Sequence, residues 1–169
     1  MAFFVLQWVV IVVGAAVHML LDRKPSRRTP RRLVELGLLW VLVAGGAWAI
    51  FGGFGHIGPD STELAEEIGY RQSFFQWEVG WGDIAIGVLG VMCAWMRDSF
   101  MTAAVIALTL SYGGDAIGHV MQLVEHDNHA DSNVWAIPSD ILQPVAAIVL
   151  LIAYRTMAPK PTPAPARAG

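Results

Sequence analysis

The sequence predicts an all-α fold: an integral membrane bundle of five transmembrane helices, with the N-terminus outside and the C-terminus cytoplasmic. Three observations carry that expectation. Of the 169 residues, 55% are hydrophobic and only 15% charged, against about a quarter charged in a soluble domain. The charges are segregated and leave apolar runs of about 20 residues, the length that crosses a bilayer as a helix. Ten of the eleven Lys and Arg fall on one side of the resulting topology, which the positive-inside rule makes cytoplasmic.

Each element follows in order. Residues 2–21, AFFVLQWVVIVVGAAVHMLL, form the first span. No basic segment precedes this run and a basic cluster follows it, the reverse of a cleaved signal peptide. Its polar groups, Gln7 and His18, read as neutral side chains hydrogen-bonded at an interface. The loop at 22–32, DRKPSRRTPRR, holds six of the eleven Lys and Arg. It marks the inner side and suits anionic lipid headgroups. The second span covers 33–54, with Glu35 in its first turn, where the helix dipole favours an acid. The outer loop at 55–73 contains a short helix: Asp60 and Glu63 have capping-box-like spacing, and Gly69 marks its end. The acids and His56 of this loop read as a solvated face.

The third span covers 74–96, Arg97 and Asp98 make a short inner turn, and the fourth span covers 99–124. The outer loop EHDNHADSN follows, then the fifth span at 135–154. Residues 1–155 thus make one transmembrane domain, and the Pro/Ala-rich residues 156–169 a disordered cytoplasmic tail. Trp77, Trp81 and Trp135 near outer ends, and Trp95 near an inner one, fit an aromatic belt. This places the chain in the cell (inner) membrane as a multi-pass protein, with the lipid bilayer as its surroundings. A homo-oligomer is compatible with the pattern. No basic stripe or aromatic platform suggests nucleic acid. Cys93 is the single cysteine, so no intrachain disulfide forms.

The polar residues of the last three spans define a candidate site. In Ser111–Gln122, SYGGDAIGHVMQ, the side chains of Ser111, Asp115, His119 and Gln122 recur at steps of three and four, one stripe of a helix. Gly113, Gly114 and Gly118 flank it and would admit a neighbouring backbone. Counting inward at the helical rise, Glu78, His119 and Asp140 lie at ~6–7 Å, and Asp83, Asp115 and Gln143 at ~12–13 Å. These two levels imply one polar cavity open toward the outer face. Gly80, Asp83, Gly87, Gly90 and Ala94 share a small-residue side of the third span, which turns Asp83 inward. Glu78 lies about 140° away from Asp83 round the helix. Pro144 leaves the Asp140 carbonyl without its helical donor.

No Lys or Arg lies at these depths, so the carboxylates must protonate, reach water or bind a cation. Three readings stay open. Asp115, His119, Asp83, Asp140 and Glu78 would hold a divalent metal such as Mn, Fe or Zn with O and N ligands. The same residues would form a proton site, with His119 exchanging protons with the acids. Or the network would only lock helices together. The first two suit a cation- or proton-binding protein related to transport, in which Glu78 gates or steers. A membrane metalloenzyme and an accessory subunit are the alternatives, so whether the protein is an enzyme stays open. His126 and His129 in the loop at 125–131 read as a hydrated surface. No nucleophile elbow, phosphate loop or dinucleotide fingerprint is present.

At FFQWEVGWGD, IGVLGV and SYGGDAIGH the chain resembles a family of small bacterial multi-pass membrane proteins of unknown function. That family pairs a Phe-Gln-x-Glu segment with an Asp-x-x-x-His helix and a later Asp-containing span. The matching positions are Phe75, Gln76, Glu78, Asp115, His119 and Asp140, within about residues 65–155. The resemblance implies a fold and a site, and no activity.

Overall fold

Thr29 starts the helix around which the others gather. Its side chain accepts from the Arg32 N–H at 3.3 Å, and Pro30 follows as the first helical residue, where its missing N–H costs nothing. The computed structural model describes residues 1–157. It contains six helices: α1 (Ala2–Leu21), α2 (Pro30–Ile57), α3 (Ser61–Ile68), α4 (Phe74–Met92), α5 (Ser99–Glu125) and α6 (Asp131–Thr156). No strand occurs among the described residues. Four helices, α1, α2, α5 and α6, are long and apolar enough to cross a membrane. The fifth expected span, α4, is not among them; its 19 residues include Gln76, Glu78, Asp83 and four glycines. It ends at Met92, short of the expected residue 96, because the chain turns at Cys93–Trp95 before α5. Thr156 closes α6, and the rest of the expected tail, from residue 158, lies outside the described residues.

α2 packs on α1, α4 and α6, and α5 packs mainly on α6. The α2–α4 seam is the closest, because both helices present glycine. A Cβ at Gly46 would lie 2.6 Å from the Gly87 carbonyl oxygen, and one at Gly87 would meet the Gly46 oxygen. Gly80, Gly87 and Gly90 are buried there, as the small-residue stripe predicts. By contrast, a Cβ at Gly113, Gly114 or Gly118 meets nothing within 4 Å. The expected close helix approach at those three glycines does not occur, because α4 leans on α2 and touches α5 sparsely. Leu36, Leu38, Met101 and Cys93 fill the centre.

Only Gln7 and Ile11 of α1 are buried. Gln7 Nε2 donates to Gln143 Oε1 at 2.6 Å, and Gln143 Nε2 in turn reaches the Val41 carbonyl at 3.5 Å. Ser139 Oγ completes the group on Gln7 Oε1. His18 Nδ1 accepts from Trp40 Nε1 at 3.2 Å. Both polar side chains of α1 therefore serve helix contacts, as expected. Beside the Gln7 contact, an apolar groove of about 430 Å³ runs between α1 and α6, walled by Phe4, Trp8, Trp135 and Leu142.

Candidate functional site

The site forms at the end of the bundle where α3 lies. α3 stops in a Schellman motif: Gly69 N–H donates to the Glu66 carbonyl at 3.0 Å and Tyr70 N–H to the Ala65 carbonyl at 2.8 Å. Gly69 sits at φ 79°, a left-handed conformation that glycine adopts without strain. A Cβ there would also strike the Asn128 side chain. Asn128 is the clamp: its Nδ2 donates to the Ile68 carbonyl at 3.0 Å, and its Oδ1 accepts from Ala130 N–H at 3.1 Å. The end of α3 is thus tied to the loop between α5 and α6. The expected Asp60 cap is not made; Asp60 precedes Ser61 without a side-chain hydrogen bond to the helix.

This clamp lays Tyr70 over His119. Asn133, fully buried in the first turn of α6, sets the chemistry there. Its Nδ2 donates to the His119 carbonyl at 3.3 Å and to the Asn128 carbonyl at 3.1 Å. With the amide so oriented, Oδ1 is the acceptor, and His119 Nδ1, 2.8 Å away, is the nitrogen that carries hydrogen. Tyr70 OH donates to the same Oδ1 at 3.3 Å. Burial first, and the Asp115 charge second, push the Tyr70 hydroxyl above its ordinary range and keep it a donor. His119 Nε2 is left facing Asp140 Oδ2 at 3.8 Å, with the two side chains only 17% and 13% exposed.

Asp83, Asp115 and Asp140 lie within range of one another's charge, and Asp115 within range of His119. All three acids are half-buried. Asp83 sits at the α2–α4 seam, its Cβ 3.1 Å from where a Cβ on Gly53 would stand. Buried Tyr112 lies within reach of all three charges. None of these acids pairs with a Lys or Arg among the described residues.

Two expected members stand apart. Glu78 is exposed on α4, away from the buried glycine side, and does not join His119 and Asp140. Gln143 is drawn off by Gln7 and the Val41 carbonyl instead of joining the deeper acids. His126 and His129 are exposed, the latter 2.9 Å from Asp127. Three residues join that the sequence reading passed over. Tyr70 and Asn133 hold His119. His56, read as solvated, is partly buried, its Nδ1 has no partner among the described residues, and it lies within charge range of His119. The only sequence signal for Asn133 is an amide one turn ahead of an apolar helix. Among the described residues, no three His, Cys, Asp or Glu side chains form a metal-holding group.

Fold and site define an all-helical protein whose long apolar helices enclose a polar cluster of three aspartates and a histidine. The chain belongs to a family of unknown function, DUF6790, whose model matches residues 1–160. That extent is wider than residues 65–155, where the motifs carry the resemblance, and takes in α1. No curated protein and no solved structure matches the chain.

Proposed function

We propose that this is a bacterial inner-membrane protein of five spans, with α4 as the additional span and the α3 end facing outward. In this reading it binds protons, in a transport-related role, at Asp83, Asp115, His119 and Asp140. The observation that carries the reading is the His119 Nε2 to Asp140 Oδ2 approach of 3.8 Å with Nδ1 already committed to Asn133. One ring nitrogen is fixed as a donor, so the other is the atom that gains or loses a proton. Asp140 faces it, and the neighbouring acids have no Lys or Arg to neutralise them. Buried carboxylates in that position hold protons or a cation. The pair of α2 and α4 forms the rigid wall on which Asp83 is mounted, and α3 covers the outer mouth.

Proton uptake by purified protein between about pH 5 and 8 tests this. His119→Ala and Asp140→Asn should each reduce uptake while the helical content of the protein stays unchanged. Unchanged uptake in both variants overturns the reading. Elemental analysis of the same samples separates the alternatives: a stoichiometric metal that is lost with Asp115→Asn would favour a metal centre. Co-purifying partner proteins, with no change in uptake, would favour an accessory subunit.

A further inference from the structure

Where α2 and α4 cross near α3, two glycines set a second histidine beside the acids. A Cβ on Gly80 would stand 2.7 Å from the Gly53 carbonyl oxygen and 3.0 Å from the His56 Cβ. A Cβ on Gly53 would stand 3.1 Å from the Asp83 Cβ. His56 and Asp83 therefore line the same crossing, one from each helix. α2 and α4 run antiparallel, since Gly46 meets Gly87 while Gly53 meets Gly80. His56 thus lies about one turn, ~5 Å, nearer the α3 end than Asp83. On α5, His119 lies one turn nearer that end than Asp115. The two pairs are in charge range level by level, His56 with His119 and Asp83 with Asp115. Asp140 joins both levels, 3.8 Å from His119 and within charge range of Asp83 and Asp115. Of the other charged groups nearby, Glu63, Glu66 and Glu67 of α3 and Glu78 of α4 are exposed. Tyr70 is bonded to Asn133. His56 itself is half-buried in the last turn of α2, with Nδ1 on the inside.

We propose that His56 is the relay that carries protons between water on the α3 side and the Asp83, Asp115, His119 and Asp140 site. The proposal rests on the proton-binding reading of that site. An imidazole relays without net change: one nitrogen takes a proton from water, giving imidazolium, and the other releases one inward, restoring the neutral ring. One turn of helix is longer than a hydrogen bond, so the inward step to Asp83 runs through a bridging water. His119 is unsuited to this task. Its Nδ1 is held by Asn133 at 2.8 Å, so it can gain a proton at Nε2 but cannot pass one on from Nδ1 without breaking that bond. His56 has no such tie among the described residues. The two histidines divide the work: His119 holds a proton beside Asp140, and His56 delivers it. Like charges on the pair repel, so protons pass one at a time.

The test is stopped-flow proton uptake by the full-length protein after a pH jump within about pH 5–8, read with an indicator dye. His56→Gln should slow the uptake that depends on His119 and Asp140 by about tenfold or more, while leaving its final amount in place. Added free imidazole should restore the rate, which repair of a merely structural defect would not do. An unchanged rate in His56→Gln overturns the proposal, and so does a slowed rate that imidazole leaves slow. The underlying reading fails by a different result, an amount of uptake unchanged in both His119→Ala and Asp140→Asn. Amounts reduced in those two variants, with His56→Gln as fast as the unaltered protein, sink the relay alone. Should His56→Gln fail to fold, NMR of nitrogen-labelled histidine side chains in the unaltered protein decides. His56 and His119 signals that each show a step at the other's midpoint support the relay. A His56 ring that keeps one protonation state across the range refutes it.

Discussion

Asn133 decides which ring nitrogen of His119 carries hydrogen. Its amide is oriented by two main-chain carbonyls, at His119 and Asn128, and its oxygen then accepts from His119 Nδ1 at 2.8 Å. Replacing Asn133 by Leu removes one acceptor and two donors from a buried position. The cost should be about 2–4 kcal/mol, since each stranded buried group costs about 1–3 kcal/mol. Chemical denaturation reads that cost. Proton uptake on the surviving folded fraction should lose its dependence on His119, because the ring is then free to turn.

The two classes of glycine should respond oppositely. Gly87→Leu drives a side chain into the Gly46 carbonyl across a backbone contact that cannot yield. It should cost about 1–3 kcal/mol or more, as overpacking does. Gly114→Ala meets only open space. It should be neutral or stabilising by about 0.5–1 kcal/mol, the usual gain of alanine over glycine inside a helix. Paired melting curves in detergent distinguish the two directly.

Gln7 and Gln143 should act as one unit. Either substitution to Leu strands a buried amide and should cost about 1–2 kcal/mol. The double variant should recover much of that loss, because apolar side chains then meet where two amides met. Additive losses in a double-mutant cycle would mean that the two amides do not depend on each other.

Asp22 makes acid stability testable away from the bundle interior. The Arg32 guanidinium, bonded at 2.8 Å, holds the Asp22 carboxyl below its ordinary range, with the Lys24 N–H assisting. A depressed folded value means that the contribution is present above the unfolded carboxylate value of about 3.9. It is then lost as pH falls through the lower folded value. Melting midpoints should drop as pH is lowered below about 4. Asp22→Asn should remove that part of the drop and lower the midpoint at neutral pH.

The helices were legible because length and apolar runs dictate them, and five of the expected segments coincide with α1, α2, α4, α5 and α6. The stop at Gly69 was legible too, since a left-handed helix end selects glycine. Depth counting paired His119 with Asp140 and Asp83 with Asp115, since rise per residue is a backbone constant. It could not assign faces. Glu78 shares a depth with His119 and points away, and Gln143 shares a depth with Asp115 and bonds to α1. Tyr70 and Asn133 escaped because their roles arise from the Asn128 clamp, a contact across 59 and 60 residues of chain that no local pattern records. The Gly113, Gly114 and Gly118 set looked like a packing surface only because small residues permit contact without requiring it.

The sparse attachment of α1 has a mechanical consequence. α1 is 20 residues long beside the 28 of α2, and two buried positions tie it down. In a bilayer, a short helix on the rim adapts to hydrocarbon thickness by tilting, at a fraction of a kcal/mol per Å of mismatch. α2, gripped along its glycine seam, has no such freedom. Changes in membrane thickness would therefore be taken up at the α1–α6 groove and felt at the Gln7–Gln143 amides, one turn of α6 from Asp140.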